Sequence, residues 1–441
     1  MRPDHPFRPL ALACSVCLPL LAPAAAAPQS PGSERPNVLL IIADDQAWSD
    51  FGFEGHATIQ TPHLDRLAAQ GAHFSRGYVP SSLCRPSLAT LATGLYPHQH
   101  GITGNDPPRG VDRGRMLAHM RALDPLPARL ARAGYRCLQT GKWWEGHFSE
   151  GGFTDGMTTG DAARGGRHGD RGLQIGRKGL GRVTDFMDEC QDSNTPFFVW
   201  YAPFLPHQPH DPPLRILERY RTPGKPEAIA RYQAMCEWFD ETCGTLLEHL
   251  RERGLEEDTL VLFLSDNGWI TDPETGGFAP RSKRSPYEGG VRTPIVLRWP
   301  GRVAAGSRPE LVSSIDVVPT ILTAAGLEVT HELPGTDLVA VAGGRDPDRA
   351  GVFGATYAHD VVDIHVPARG LQFRWTVQGR FKLVRSVDRG LPSELYDLSR
   401  DPGEEHDVAL QNLAVVAELR ESLDRWWPAR VPTRPNLLLV V

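Results

Sequence analysis

The apolar residues of this chain gather into short continuous runs. Asn37-Val38-Leu39-Leu40-Ile41-Ile42-Ala43 is followed by Asp44-Asp45. Thr259-Leu260-Val261-Leu262-Phe263-Leu264 is followed, past Ser265, by Asp266-Asn267-Gly268, and Pro196-Phe197-Phe198-Val199-Trp200-Tyr201 is a third such run. A strand that is apolar at every position is covered on both faces, as inside a parallel sheet flanked by helices. Ligands of open α/β sheets bind beyond the carboxyl ends of the strands. All three runs place polar residues there.

Helical patterns fit between these strands. Thr61 stands at a cap position with Pro62 at the first helical position; Leu64, Leu67 and Ala68 give an apolar face and Gly71 a stop. A longer pattern from about Glu227 to Arg253 carries Tyr232, Met235, Cys236, Phe239, Leu246 and Leu250 broadly on one side, with Gly254 as its stop. The Gly- and Arg-rich stretch 150–182 has no period and predicts a long loop over the site. Beyond Gly335 the runs shorten and alternate. Gln372–Val377, a turn at Gln378-Gly379, and Phe381–Val384 predict a hairpin, and a helix from Leu413 to Trp427 closes the chain. The pattern predicts an α/β fold: a catalytic-sized domain over 34–335 and a smaller α+β subdomain over 336–441, with a small antiparallel sheet and a terminal helix.

Composition narrows the picture. With 441 residues, 40% of them hydrophobic, the chain has ample core for both parts. A net charge of −6 without a basic face argues against nucleic acid as a partner. Residues 1–27 read as a cleaved export signal: Arg2 and Arg8, the apolar run Leu10–Leu21, then Ala24–Ala27 as a small-residue cleavage site. The run is short and interrupted by Pro19 and Pro23, so no stable membrane insertion is expected after cleavage, and the mature protein is expected in the periplasm or outside the cell. Five cysteines then remain. Cys236 and Cys243 lie about 10 Å apart along a helix at ~1.5 Å per residue, too far to bridge. Cys137, Cys190, Cys236 and Cys243 read as small buried hydrophobes.

The candidate chemistry is an all-oxygen cluster. Asp44-Asp45 at one strand end and Asp266-Asn267 at another offer the ligands that hard cations take, and without a cation the carboxylates would repel one another. The segment Ser82-Leu83-Cys84-Arg85-Pro86-Ser87-Leu88 through Thr93-Gly94 resembles the sulfatase signature, in which a Cys two residues before a Pro is oxidised to formylglycine. Six further segments resemble the same family in the same order. They are Pro36–Asp45, Thr140-Gly141-Lys142-Trp143, Pro206-His207-Gln208-Pro209, Lys283 with Tyr287-Glu288-Gly289-Gly290, and the later landmarks Ile315–Thr320 and Glu394–Leu398. The chain is therefore similar to the formylglycine-dependent type I sulfatases of the alkaline phosphatase superfamily.

The resemblance implies a large, mixed, mostly parallel sheet sandwiched by helices. It implies Ca²⁺ on Asp44, Asp45, Asp266 and Asn267 together with the modified Cys84, and a formylglycine-generating enzyme as a partner in maturation. Hydrated formylglycine at 84 would attack sulfur. Lys142 and Lys283 would hold sulfate oxygens and His207 would protonate the leaving atom. The substrate would be a sulfated small molecule or glycan.

Two positions depart from the pattern. Leu88 stands where the family has Arg, and Trp144 where it has His. Arg85 and His147 are the nearby residues expected to support the nucleophile instead. Two other readings stay open in the sequence: a phosphodiesterase or phosphonate monoester hydrolase of the same superfamily, and a non-catalytic binding protein that keeps the cleft. Asp266-Asn267-Gly268, rather than Asp-His-Gly, favours one metal ion over two. Arg164, Arg167, His168, Arg171 and Arg177 in the long loop fit either a contact with a polyanionic glycan or a solvated Arg-rich loop.

Overall fold

The structure, a computed structural model, describes residues 35–427 apart from 162, 164, 165 and 389. The export signal over 1–27 and Arg164 lie outside the described residues. Among the described residues no helix is long and apolar enough to cross a membrane.

The strands are β1 (Asn37–Ala43), β2 (Ala72–Tyr78), β3 (Arg136–Gly141), β4 (Asp155–Gly156), β5 (Phe197–Ala202), β6 (Thr259–Ser265), β7 (Arg292–Arg298) and β8 (Gly306–Ser313). They form one sheet in the order β4-β3-β5-β1-β6-β7-β2-β8. Only β7 runs against its neighbours. The three continuous apolar runs are β1, β5 and β6, which lie side by side at the centre.

Their composition follows from having a core on both faces. Val38, Leu40 and Ile42 of β1 join one core cluster, while Leu39, Ile41 and Ala43 join the other. The helix Glu227–Glu252 brings Met235, Phe239, Cys243, Leu246 and Leu250 to the second face. Each fully buried Leu or Phe side chain contributes about 1.5–3 kcal/mol, so this double cover holds the strand ends rigidly in register.

Helix α1 spans Pro62–Gln70, with Thr61 at the cap position. The Thr61 side chain makes no capping bond to the helix; Asp240 does so instead, accepting from Leu64 N at 2.8 Å and His63 N at 3.1 Å. Helix α2 spans Cys84–Thr93. The stretch 150–182 is not wholly loop: it contains β4, short 3₁₀ turns and the start of a helix at Gly181. Cys84, Cys137, Cys190, Cys236 and Cys243 are all buried free thiols.

A second sheet holds β9 (Val352–Tyr357), β10 (Leu371–Gln378), β11 (Phe381–Ser386) and β12 (Glu394–Asp397), all antiparallel, in the order β12-β11-β10-β9. The hairpin turns at Gly379-Arg380, one position beyond the expected Gln378-Gly379, since Gln378 still pairs with Phe381; Gly379 has a φ of 55°. The closing helix Leu413–Trp426 packs Leu419 and Leu423 on Leu383 and Leu395. Fully buried Lys382 of β11 reaches Glu288 at 2.9 Å and Glu404 at 3.0 Å, tying this sheet to the Tyr287-Glu288-Gly289-Gly290 segment.

Candidate active site

Parallel register brings the site together. Ala43 is paired with Ser265, so the residues just beyond, Asp44-Asp45 and Asp266-Asn267, emerge side by side. On the other flank, Gly141 of β3 is paired with Ala202 of β5, so Lys142 and the loop bearing His207 leave the same edge. Four adjacent strand ends thus deliver most of the polar groups. Gly141 has a φ of 77°, and a Cβ there would stand 1.8 Å from the Ala202 carbonyl oxygen. Only glycine lets the chain turn there and aim Lys142 inward.

Asp45 sits at the centre. Its φ of 64° is the left-handed conformation that Asp tolerates better than most residues. Its backbone N–H donates to Asp266 Oδ1 at 3.0 Å, and its Oδ1 accepts from Asn267 Nδ2 at 2.7 Å. Its Oδ2 accepts from Lys283 Nζ at 2.6 Å and lies 3.3 Å from His207 Nε2. Lys142 Nζ donates to Asp44 Oδ1 at 2.6 Å. Cys84 Sγ lies 3.9 Å from Asp45 Oδ1.

Cys84 is the first residue of α2, where the helix dipole favours developing negative charge. Asn105 Oδ1 accepts from the next backbone N–H, that of Arg85, at 3.1 Å. The loop that carries Lys283 is tied to the segment before Cys84 by Arg284 N donating to Ser82 O at 2.9 Å.

Burial and charge set the protonation states. Burial raises the Asp44 carboxyl well above the usual range, against the opposing pull of Lys142. Burial also works to raise Asp45, but Lys283, His207 and Lys142 together hold it far below. Burial would lower both lysines, yet Asp44 beside Lys142 and Asp45 beside Lys283 raise them above the ordinary value. Burial and then Lys142 push His207 well down, while Asp45 and the Gln208 carbonyl pull it up. His207 Nδ1 lies 2.5 Å from the Gln208 carbonyl oxygen and Nε2 lies 3.3 Å from Asp45 Oδ2, so both ring nitrogens face oxygen acceptors. Burial pushes the Cys84 thiol up to about 12, with Lys142 and Lys283 pulling the other way.

The donor set fits a hard cation. Ligand atoms of Asp44, Asp45, Cys84 and His207 lie within 4.8 Å of one another. Asp44 Oδ2, Asp266 Oδ2 and Asn267 Oδ1 are buried without a hydrogen-bond partner among the described residues, an arrangement that costs free energy unless something else meets them. Asp44, Asp45 and Asp266 outnumber Lys142 and Lys283 by one charge; a divalent cation would turn a site that repels an anionic ester into one that attracts it.

Two expected supports lie elsewhere. The Arg85 guanidinium is buried and spent on Glu145, at 2.6 and 2.9 Å, and on the carbonyls of Gly104 and Met116. Exposed His147 lies 2.8 Å from Ser149 Oγ through Nδ1. Neither joins the cluster. Leu88 and Trp144 instead belong to the same apolar core cluster. Arg177 is not free for a glycan either. It pairs with Asp211 and donates to the carbonyls of Phe204 (2.9 Å), His207 (3.1 Å) and Pro209 (3.2 Å), bracing the His207 loop. Sequence reading missed Asn105 and also Gln46, whose buried side-chain amide has no partner among the described residues. Loop residues carry no periodic signal that would have marked either.

Known proteins share this architecture. The Sulfatase family profile matches residues 36–327, and the N-sulphoglucosamine sulphohydrolase C-terminal profile matches residues 276–427. The chain is 30% identical to arylsulfatase A of Homo sapiens, over 85% of this chain and 83% of that protein. It is 30% identical to the N-acetylgalactosamine-6-sulfatase of Canis lupus familiaris, over 77% of this chain and 72% of that one. The crystal structure of Ps i-CgsB superposes with a TM-score of 0.74 at 25% identity, covering 90% of this chain and 94% of its own. The chain belongs to the sulfatase family of sulfuric ester hydrolases.

Proposed function

We propose that the protein releases inorganic sulfate from a sulfated carbohydrate, using formylglycine made from Cys84 and a Ca²⁺ ion. The observation that carries this reading is the convergence of Cys84, Lys142, Lys283 and His207 on Asp44 and Asp45. A thiol held protonated to about 12 is a poor nucleophile, which favours its replacement by a hydroxyl. The carbohydrate class is supported by the sugar sulfatases among the relatives and by the matched C-terminal profile.

In this reading Asp44, Asp45, Asp266 and Asn267 hold the cation, which neutralises sulfate charge and lowers the pKa of the attacking hydroxyl. Lys142 and Lys283 hold sulfate oxygens as point charges. Residue 84, as hydrated formylglycine, would supply the hydroxyl nucleophile toward sulfur, and His207 would give the leaving oxygen its proton as the sulfur–oxygen ester bond breaks. Burial lowers His207 in the free protein; a bound anionic ester would raise its basicity and favour the protonated imidazole that the leaving oxygen needs. An export signal over 1–27 would direct the mature enzyme to the periplasm or outside the cell.

Protein made alongside a formylglycine-generating enzyme tests the reading. It should release sulfate from 4-nitrophenyl sulfate and from sulfated monosaccharides, and Cys84→Ser should abolish release while the fold stands. Sulfate release that survives Cys84→Ser would refute it.

A further inference from the structure

Trp144, in place of the family's His, gathers cations. Its ring lies 5.2 Å from the Arg113 guanidinium, 5.3 Å from that of Arg167 and 5.8 Å from Lys142 Nζ. One carboxylate positions both arginines: Asp106 accepts from Arg113 Nη1 at 3.0 Å and from Arg167 Nε at 2.6 Å, and also pairs with Arg167 Nη2. Arg113 Nη2 further donates to Asn105 O at 3.0 Å, and Asn105 is the residue whose side chain meets α2 beside Cys84. The arginines are therefore built on the same short segment that supports the nucleophile.

A row of rings connects them to the leaving-group histidine. His207 stacks on Phe204 at 4.2 Å, Phe204 lies 6.0 Å from His168, and His168 meets Trp144 edge-on at 4.6 Å. Exposure rises along the way outward, from 1% at the Lys142 side chain to 25% at Arg113 and 43% at Arg167. Asp360 stands near Asp106, but its carboxylate is directed to His359 Nδ1 at 2.6 Å. The same Asp106, His359 and Asp360 are a weak candidate for a cation, because Asp106 already receives two guanidiniums.

We propose that Arg113 and Arg167, held against Trp144 by Asp106, form a second anion subsite on the leaving-group side of the sulfate pocket. The substrate then carries a further anionic group, a uronate carboxylate or a second sulfate, beyond the ester that is cleaved. Planar guanidiniums suit both anions, since each presents a fork of donors. The proposal rests on the sulfatase reading above and names the substrate class within it.

The test is turnover of sulfated disaccharides from chondroitin and heparan sulfate. Each is paired with its carboxyl-reduced partner or with its partner lacking the remote sulfate. Wild type should prefer the doubly anionic member of a pair by tenfold or more in kcat/KM, mostly through KM, and less so at high salt. Arg167→Ala should reduce that preference at least fivefold, and Arg167→Lys should restore part of it. The carboxyl-reduced arm and the desulfated arm tell which anion is read. A preference unmoved by Arg167→Ala would overturn the subsite alone. Failure of wild type, carrying converted Cys84, to hydrolyse any sulfate ester would overturn the reading on which it stands.

Discussion

Lys142 and Asp44 meet at 2.6 Å although 98 positions separate them. Each follows a strand, β3 and β1, and β5 lies between the two, so the lysine reaches across an intervening strand end. Both side chains are at most 4% exposed. Removing one partner of a buried pair leaves an uncompensated charge, at a cost of about 3–5 kcal/mol. Lys142→Met should therefore lower the denaturant midpoint as well as activity, and added Ca²⁺ should recover part of the stability but little of the turnover. A variant as stable as wild type would mean that this pair contributes nothing to the fold.

Calcium should stabilise the protein. At about 100 times its dissociation constant a ligand that binds only the native state adds ~2.7 kcal/mol. Asp44→Ala and Asp266→Ala should each remove that gain, since both carboxylates carry a buried oxygen without a hydrogen-bond partner among the described residues. Thermal melting with chelator and with Ca²⁺ reads this directly. A melting temperature indifferent to both would contradict a metal at these strand ends.

His207→Ala should slow esters with poor leaving groups by ~10²–10⁴-fold and activated aryl sulfates far less, because protonation matters most where the leaving oxygen is basic. Steady-state kinetics on 4-nitrophenyl sulfate and on a sulfated sugar give the comparison. Equal losses on both would remove His207 from that role.

Asp240 offers a pH test remote from the site. Burial raises its carboxyl to about 7, against the opposing effect of the two α1 N–H groups it accepts from. The folded state then binds a proton more tightly than the unfolded state, whose carboxyl titrates near its ordinary value of 3.8. Its contribution to stability is complete below the unfolded value and is lost as pH rises through about 7, with a slope of up to ~1.4 kcal/mol per pH unit. Asp240→Asn should flatten this slope and lose one cap bond, about 1 kcal/mol. Urea unfolding of both proteins at about pH 5 and about pH 8 measures the difference. Parallel curves would show that Asp240 stays ionised in the folded protein.

The central strands were legible because β1, β5 and β6 are apolar at consecutive positions, and the carboxylates that trail β1 and β6 pointed to the carboxyl ends of the strands as the candidate site. Helix α1 was legible in its bounds but not in its cap, since Asp240 comes from a helix more than 170 positions away. The fate of Arg85 was not legible. Spacing puts it one residue from Cys84, but only the packed fold shows its guanidinium closed onto Glu145. Likewise the sequence showed Trp144 as a departure without showing Arg113 and Arg167 beside it, because cation–ring contacts between loops leave no period in the chain.

The most direct measurement is peptide mass spectrometry of residue 84 in protein made alongside a competent formylglycine-generating enzyme. Conversion of the thiol to an aldehyde, in at least part of the protein and in step with sulfatase activity, is expected. Leu88→Arg should raise the converted fraction or leave it unchanged. A wholly intact Cys84 thiol with no sulfate release from any ester would contradict a formylglycine-dependent sulfatase and leave a binding protein built on the same cleft.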